Sequence, residues 1–370
     1  MHRATRMEVH LDNLKANFQA IRRHVGAGPE IFGVVKADAY GHGAVVACKA
    51  LMDAGCRCFA VAIPDEAFEL RDAGIDAPIL VLGPTPERSA KEYVRRSVTA
   101  TVTDLSFARA LGAEAVRQER AASVHIKVDT GMGRIGFLPC DIPAVLDELL
   151  TIPGVKIEGM FTHFAVADEQ RLDYTAYQFA GLQEALGAAA KRGIHLPLRH
   201  ACNSAGILAC PEKYLDAVRP GVILYGMWPS GECPRPIELK PTFEVKTEVA
   251  FVKELPPRSG VGYGLRYMTR GVEEVAVLPV GYADGYSRAL SMKIPVLIHG
   301  KRVPLCGNIC MDQTMVNVTG MGVSQGDEVV LLGRQGEETI TPEEMAAARN
   351  TINYEVPIAF LKRVPRVYVS

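Results

Sequence analysis

The sequence predicts a (β/α)8 barrel followed by a smaller, mostly β domain. Two observations point to the barrel. Short apolar runs alternate with amphipathic segments through residue 235 or so, and eight such runs can be counted. A third marks its end: after Pro234-Arg235-Pro236 the pattern becomes β-branched runs broken by Gly, Pro and Asp. The expected division is a barrel over residues 1–238 and a β domain over 239–370, with residues 1–8 free to pack on the latter. A chain of 370 residues suits one large domain plus a smaller one.

The eight candidate strands are 31–37, 58–63, 78–82, 99–103, 123–129, 156–163, 198–203 and 217–225. Helix-like stretches lie between them at 44–54, 65–73, 86–97, 105–120, 143–150 and 172–192. Gly55, Gly74 and Gly193 follow three of these and suit left-handed C-terminal caps. After the seventh strand only 204–210 and 211–215 can serve as short helices. An open doubly wound sheet is the alternative to the barrel. In the second domain strands are expected at 245–253, 274–279, 294–299, 301–305, 313–318 and 328–332, with a late helix at 342–350.

Composition excludes several classes. Hydrophobic residues make up 48% and charged residues 22%, as in ordinary globular proteins, and the net charge is −1. With no long basic block, nothing argues for nucleic acid or an anionic membrane. The opening His2-Arg3-Ala4-Thr5-Arg6 leads into no apolar secretory core, and no run is long enough to span a bilayer. The nine cysteines are scattered, which fits reduced thiols and a cytoplasmic location. No cysteine pair has histidines at ligand spacing, so no metal site is expected.

In a barrel, chemistry gathers where the strands end. Lys36 closes the first apolar run in Val34-Val35-Lys36-Ala37-Asp38-Ala39-Tyr40-Gly41-His42-Gly43. A lysine there could form an imine with a carbonyl cofactor, or be an ordinary strand-end lysine. The glycine turn beside it suits an anion. Lys127-Val128-Asp129-Thr130-Gly131-Met132-Gly133-Arg134-Ile135-Gly136 closes the fifth run. Its glycines match a dinucleotide fingerprint literally, but they follow the wrong strand and the helix is delayed. The segment reads instead as a loop that aims Arg134 inward. His163 ends the sixth run, and His200-Ala201-Cys202-Asn203-Ser204 the seventh. Arg219-Pro220-Gly221-Val222 lies in the eighth. Either histidine alone could be structural; their recurrence at successive strand ends favours a site.

The second domain holds Gly260-Val261-Gly262-Tyr263-Gly264, Val280-Gly281-Tyr282-Ala283-Asp284-Gly285-Tyr286 and Gly307-Asn308-Ile309-Cys310-Met311-Asp312. Taken alone, these could be tight turns between strands. A tyrosine is a poor base at neutral pH unless its surroundings lower its pKa.

Together these segments resemble the alanine racemase family, in matching order from Glu8 to the C-terminus, with Thr351-Ile352-Asn353-Tyr354-Glu355 fitting the closing segment. The resemblance implies a homodimer using pyridoxal 5'-phosphate to interconvert L- and D-alanine, supplying D-alanine for peptidoglycan. Lys36 would hold the cofactor and act as base on one face of Cα; Tyr263, from the partner subunit, would be the base on the other. Arg219 would face the pyridine nitrogen and, keeping its proton, would disfavour transamination; His200 would orient it. Tyr40, Ser204, Gly221, Val222 and Tyr354 would hold the phosphate, with His163 and Asn203 beside the cofactor. Arg134 and the backbone at Met311 would receive the substrate carboxylate, near Tyr282 and Asp312. Lys127 matches a lysine that is often carbamylated in this family. One departure is His10, where relatives usually carry aspartate.

Other readings fit these residues less well. A serine-preferring or broader-specificity racemase would share the fold, but Met311 and Tyr354 match the alanine pattern. A barrel decarboxylase for basic amino acids is opposed by Tyr263 and Arg219. A non-catalytic cofactor carrier would lack the second domain. A nicotinamide enzyme would need the Gly131 loop to bind a dinucleotide.

Overall fold

Eight parallel strands pair in the order Ile79–Val81, Cys58–Val61, Glu30–Val34, Ala217–Val218, Leu198–His200, Val155–Phe161, Ala122–Lys127 and Ala100–Val102. A parallel bridge between Leu80 and Thr99 joins the two ends and closes the barrel. The strands are mostly apolar because a parallel barrel buries both of their faces; Ile79–Val81 and Ala100–Val102 are buried throughout. This computed structural model describes residues 3–370. The described chain forms two units, one of residues 13–39 and 43–240 and another of 3–12, 40–42 and 241–370.

The barrel helices follow their amphipathic faces. Leu105–Arg117 starts where the Asp104 carboxylate accepts from the Phe107 N–H at 2.9 Å, and it buries Phe107, Ala108, Leu111 and Ala115. Truncating Leu111 to alanine would cost about 2–5 kcal/mol. Several expected strands are too long at their C-terminal ends. The run 31–37 leaves the sheet after Val34, 198–203 after His200, and 217–225 after Val218. Pro220, which has no N–H, and the turn at Gly221 divert the last of these into the short Val222–Tyr225 helix. The barrel rim is therefore built from loops and turns that carry Lys36, Asn203, Ser204, Arg219 and Gly221.

In the other unit a sheet runs in the order Lys301–Pro304, Pro295–Ile298, Glu328–Gln335, Phe243–Glu248, Arg6–His10 and Arg366–Val369. Arg6–His10 alternates, with Met7 and Val9 fully buried. On its other face Lys246 Nζ bonds Glu8 and Glu244 at 2.8 and 2.9 Å, and His10 lies 3.8 Å from Glu244. The expected strand at 245–253 is two strands, Phe243–Glu248 and Phe251–Leu255. Its backbone changes partners at the break: Val249 N–H donates to Asp327 and Ala250 N–H to Val277. Phe251–Leu255 thereby joins a separate sheet with Glu273–Leu278 and Thr314–Asn317. The late helix Pro342–Arg349 begins with a Thr341 cap and ends at Asn350 in the left-handed region. Among the described residues no helix is long and apolar enough to cross a membrane.

Candidate active site

Lys36 opens a helical turn, Lys36–Gly41, that is left-handed. Ala37, Asp38, Ala39 and Tyr40 have φ between 52° and 54°. Such residues cost about 1–2 kcal/mol each, so the turn needs outside support. Glu66 supplies part of it, accepting from the Ala37 N–H at 2.6 Å and the Ala62 N–H at 2.7 Å. Asp38 supplies more: its carbonyl accepts from Gly43 N–H and its Oδ1 from Ala44 N–H at 2.7 Å. The Lys36 ammonium is half-buried and pushed below its ordinary pKa, first by burial and then by Arg134, with Glu66 opposing.

On the neighbouring strand ends, Arg219 is 2% exposed. One terminal nitrogen donates to His200 Nδ1. The other donates to the carbonyls of Thr162 and Ala201, both at 2.8 Å, and lies 3.5 Å from His163 Nδ1. The Nε–H of Arg219 has no hydrogen-bond partner among the described residues. Phe161 underlies the group, stacked on His200 at 4.6 Å, with the Arg219 guanidinium 5.2 Å and the Lys127 ammonium 5.6 Å from its centroid. His200 Nε2 meets His125 Nδ1 at 2.9 Å. Burial, and then the Arg219 charge, holds His163 and His200 well below the usual histidine range and His125 at about 3. All three are neutral at physiological pH. Burial lowers Arg219 to about 10, leaving it charged.

Lys127 is buried and pushed down to about 7, chiefly by burial and then by Arg219. It opens the glycine loop, in which Asp129 accepts from the N–H groups of Gly131, Gly133 and Arg134, each at 3.1 Å. That turn presents Arg134 in an exposed position. The Asn203 side chain caps the helix Ser204–Ala209 and reaches His163 Nε2 at 3.3 Å, and Ser204 Oγ accepts from Gly221 N–H at 2.8 Å. Val222 follows at the start of its short helix. The barrel unit therefore gathers Lys36, Lys127, Arg134 and Arg219 with three neutral imidazoles, a setting for an anionic ligand. An unpaired Arg219 N–H suits a ligand that presents a hydrogen-bond acceptor to it, as a pyridine nitrogen does. The residues present fit pyridoxal phosphate on both counts.

The remaining candidates belong to the other unit. Tyr40 and Tyr354 have ring centroids 6.4 Å apart, and burial pushes the Tyr40 phenol up. Tyr263 is 73% exposed on a turn between the paired strands Gly260–Val261 and Tyr267–Met268. Its carbonyl accepts from Asn308 Nδ2 at 2.8 Å. Gly262 before it has φ +69° and Leu265 after it φ +46°, so the tip is tightly wound. The Tyr282 N–H donates to the Cys310 carbonyl and the Ala283 N–H to the Met311 carbonyl, which ties the two glycine motifs together. The Met311 N–H has no partner among the described residues. Asp312 accepts from Arg363 at 2.8 Å, and buried Asp284 takes both Arg3 and Arg363.

Sequence reasoning missed His125, Glu66, Phe161 and Asn308. For His125 a signal exists: it stands two residues before Lys127, on the same strand face. Glu66 reads locally as a helix N-terminal acid, and nothing local links it to residue 37.

The pattern described as "Alanine racemase, N-terminal domain" matches residues 9–229, and "Alanine racemase, C-terminal domain" matches 242–368. The chain is 44% identical to "Alanine racemase 2" of Caldanaerobacter subterraneus subsp. tengcongensis over 369 residues, 99% of this chain and 95% of the relative. The solved alanine racemase of Clostridium difficile 630 is similar at a TM-score of 0.94 and 39% identity, covering 100% of this chain and 96% of that one. A histidine racemase from Leuconostoc mesenteroides subsp. sake is similar at a TM-score of 0.91 and 30% identity, covering 100% and 99%.

Proposed function

We propose that this chain, which belongs to the alanine racemase family, interconverts L- and D-alanine with pyridoxal 5'-phosphate. The observation that carries the cofactor assignment is Arg219, buried and fastened at both terminal nitrogens with its Nε–H left for an acceptor. Pyridoxal phosphate, when bound, supplies an electron sink that makes the Cα hydrogen of an amino acid acidic. Everything else in the reaction falls to the protein's own side chains.

Lys36 Nζ would be the attachment point for the cofactor and would also serve as the base on one face of Cα. Its lowered pKa favours the neutral amine that both tasks need. The partner subunit's Tyr263 is the base on the opposite face, since inversion needs removal on one side and return on the other. Its exposure, with Leu265, Met268 and Met311 also exposed on the same unit, supports a homodimer in which that surface is covered. Arg219, which keeps its proton, would donate to the cofactor's ring nitrogen without protonating it, and so would disfavour transamination. His200 orients Arg219, and His163 and Asn203 border the ring. Ser204, Gly221, Val222, Tyr40 and Tyr354 hold the phosphate. Arg134 and the Met311 N–H take the substrate carboxylate, with Tyr282 and Asp312 nearby. Lys127, partly neutral at pH 7, can add carbon dioxide and become an anion that supports Arg134. D-Alanine for peptidoglycan is the expected product use, in the cytoplasm.

A histidine racemase on the same fold makes substrate scope the natural point of test. Purified protein is expected to be yellow, with borohydride fixing the cofactor to Lys36 and with alanine racemised fastest in a panel of amino acids. A reduced lysine elsewhere would refute the cofactor assignment. A faster substrate with a larger or hydroxylated side chain would replace alanine with a broader or serine-preferring specificity.

A further inference from the structure

His125, His200 and Arg219 form a hydrogen-bonded row across neighbouring barrel strands, and His125 has no role in the reaction derived above. The strands run in the order Ala122–Lys127, Val155–Phe161, Leu198–His200 and Ala217–Val218, so His125 and His200 are separated by a strand. They nevertheless meet at 2.9 Å. Gly159 on the intervening strand makes this possible. It pairs with His125, and a Cβ there would lie 2.7 Å from His125 Nδ1 and 2.5 Å from the Leu198 carbonyl oxygen. The two imidazoles are fully enclosed: Phe32 packs on both, at 6.2 and 5.5 Å, and Phe161 stacks on His200.

We propose that His125 is a positioning residue, which locks His200 in its Nε2–H form and so holds Arg219 with its Nε–H turned to the ligand. The direction of the row follows from Arg219. A guanidinium only donates, so His200 Nδ1 facing it must carry the lone pair. The hydrogen of neutral His200 is then on Nε2, and it donates to His125 Nδ1. His125 in turn carries its own hydrogen on Nε2. Without an acceptor at position 125, two arrangements remain for His200, and both are poor. Its Nε2–H stays buried and unpaired, or the hydrogen moves to Nδ1 and confronts the Arg219 N–H. Either loosens Arg219. What Arg219 faces rests on the racemase reading; the tautomer of His200 does not.

The test reads the tautomers directly, by neutron diffraction or by nitrogen NMR of 15N-histidine-labelled holoenzyme. The wild type should show hydrogen on Nε2 of both His200 and His125. His125→Leu should lose the single Nε2–H form of His200 and lower kcat by at least about fivefold, the order set by one unpaired buried donor. His125→Asn puts an amide oxygen close to the Nδ1 position and should keep both the tautomer and most of kcat. A wild-type His200 with hydrogen on Nδ1 overturns the proposal. So does a leucine variant that keeps the single tautomer and full kcat, or a folded asparagine variant that shifts the tautomer as leucine does. Failure of the racemase reading shows separately, as the absence of a borohydride-fixed group on Lys36 while the tautomers stand.

Discussion

Gly159 lies directly across from His125 in the parallel pairing of two barrel strands, and the space above its Cα is what the imidazole uses to reach His200. Three elements are tied by this one approach. The glycine weakens its own strand slightly, and in exchange the barrel interior holds a polar pair that an apolar core would not.

Gly159→Ala is therefore expected to be costly although alanine is the smallest possible addition. The new methyl would meet a carbonyl oxygen at 2.5 Å and a ring nitrogen at 2.7 Å, and the former is backbone in the adjacent strand. Urea melts should show a loss of about 1–3 kcal/mol, the usual cost of overpacking. Unchanged stability together with unchanged racemase activity would mean that the close approach is absent in solution.

Acid should destabilise the fold earlier than its carboxylates require. His125, His163 and His200 have folded pKa values below the ordinary 6.5, so above pH 6.5 they are neutral whether folded or unfolded. As pH falls below 6.5 the unfolded chain binds protons that the folded one refuses. Each histidine then removes up to about 1.4 kcal/mol of stability per pH unit, continuing for His125 toward its folded value of about 3. Lys127, as the free amine, adds little slope in this range, because below about 7 it is mostly protonated in both states. Depressed carboxylates such as Glu244, at about 2, act only once the unfolded chain protonates near 4.5. Denaturant melts between pH 6.5 and 5 should thus show a steep fall, made shallower by about a third in His125→Asn. A flat profile there would contradict the buried neutral histidines.

The left-handed turn after Lys36 gives a prediction of opposite sign. Ala37 is exposed and has φ 52°, a conformation that glycine adopts without steric cost. Ala37→Gly should stabilise the protein by roughly 0.5–1 kcal/mol in urea melts, the left-handed penalty less the extra entropy of glycine. A loss of about 1 kcal/mol, as glycine causes inside a right-handed helix, would refute the left-handed geometry.

Much of the architecture was legible in the sequence, and the turn shows where that ended. The barrel strands were found because Val, Ile and Leu runs repeat between amphipathic helices, and the polar residues that interrupt those runs, Lys127, His163, His200 and Arg219, gather in one unit. The hand of Lys36–Gly41 was not legible. Of Ala-Asp-Ala-Tyr only the aspartate has any left-handed tendency, and the turn is held by Glu66, a long-range partner. His125 was hidden for a related reason. Its neighbours Val124 and Ile126 make it look like a core histidine, and only the glycine on the next strand reveals what it reaches. The strand expected at 245–253 failed because apolar alternation continues through the point where the backbone changes sheets.

Asn308 should matter to the reaction through Tyr263 alone. Its side-chain amide holds the Tyr263 carbonyl at 2.8 Å, at the tip of a turn whose neighbours Gly262 and Leu265 sit at positive φ. Asn308→Ala removes that tether without touching the phenol, and the tip should loosen. Catalytic groups lose rate steeply with small misplacement, so kcat is expected to fall by about tenfold or more. The loss should also be asymmetric. In deuterated water, exchange of the Cα hydrogen should slow much more for one enantiomer of alanine than for the other, and for the same enantiomer as in Tyr263→Phe. If Lys36 serves the opposite face, as proposed, it should continue its half of the exchange. Equal slowing of both enantiomers in the asparagine variant, with Tyr263→Phe remaining asymmetric, would show that Asn308 acts on something other than the tyrosine.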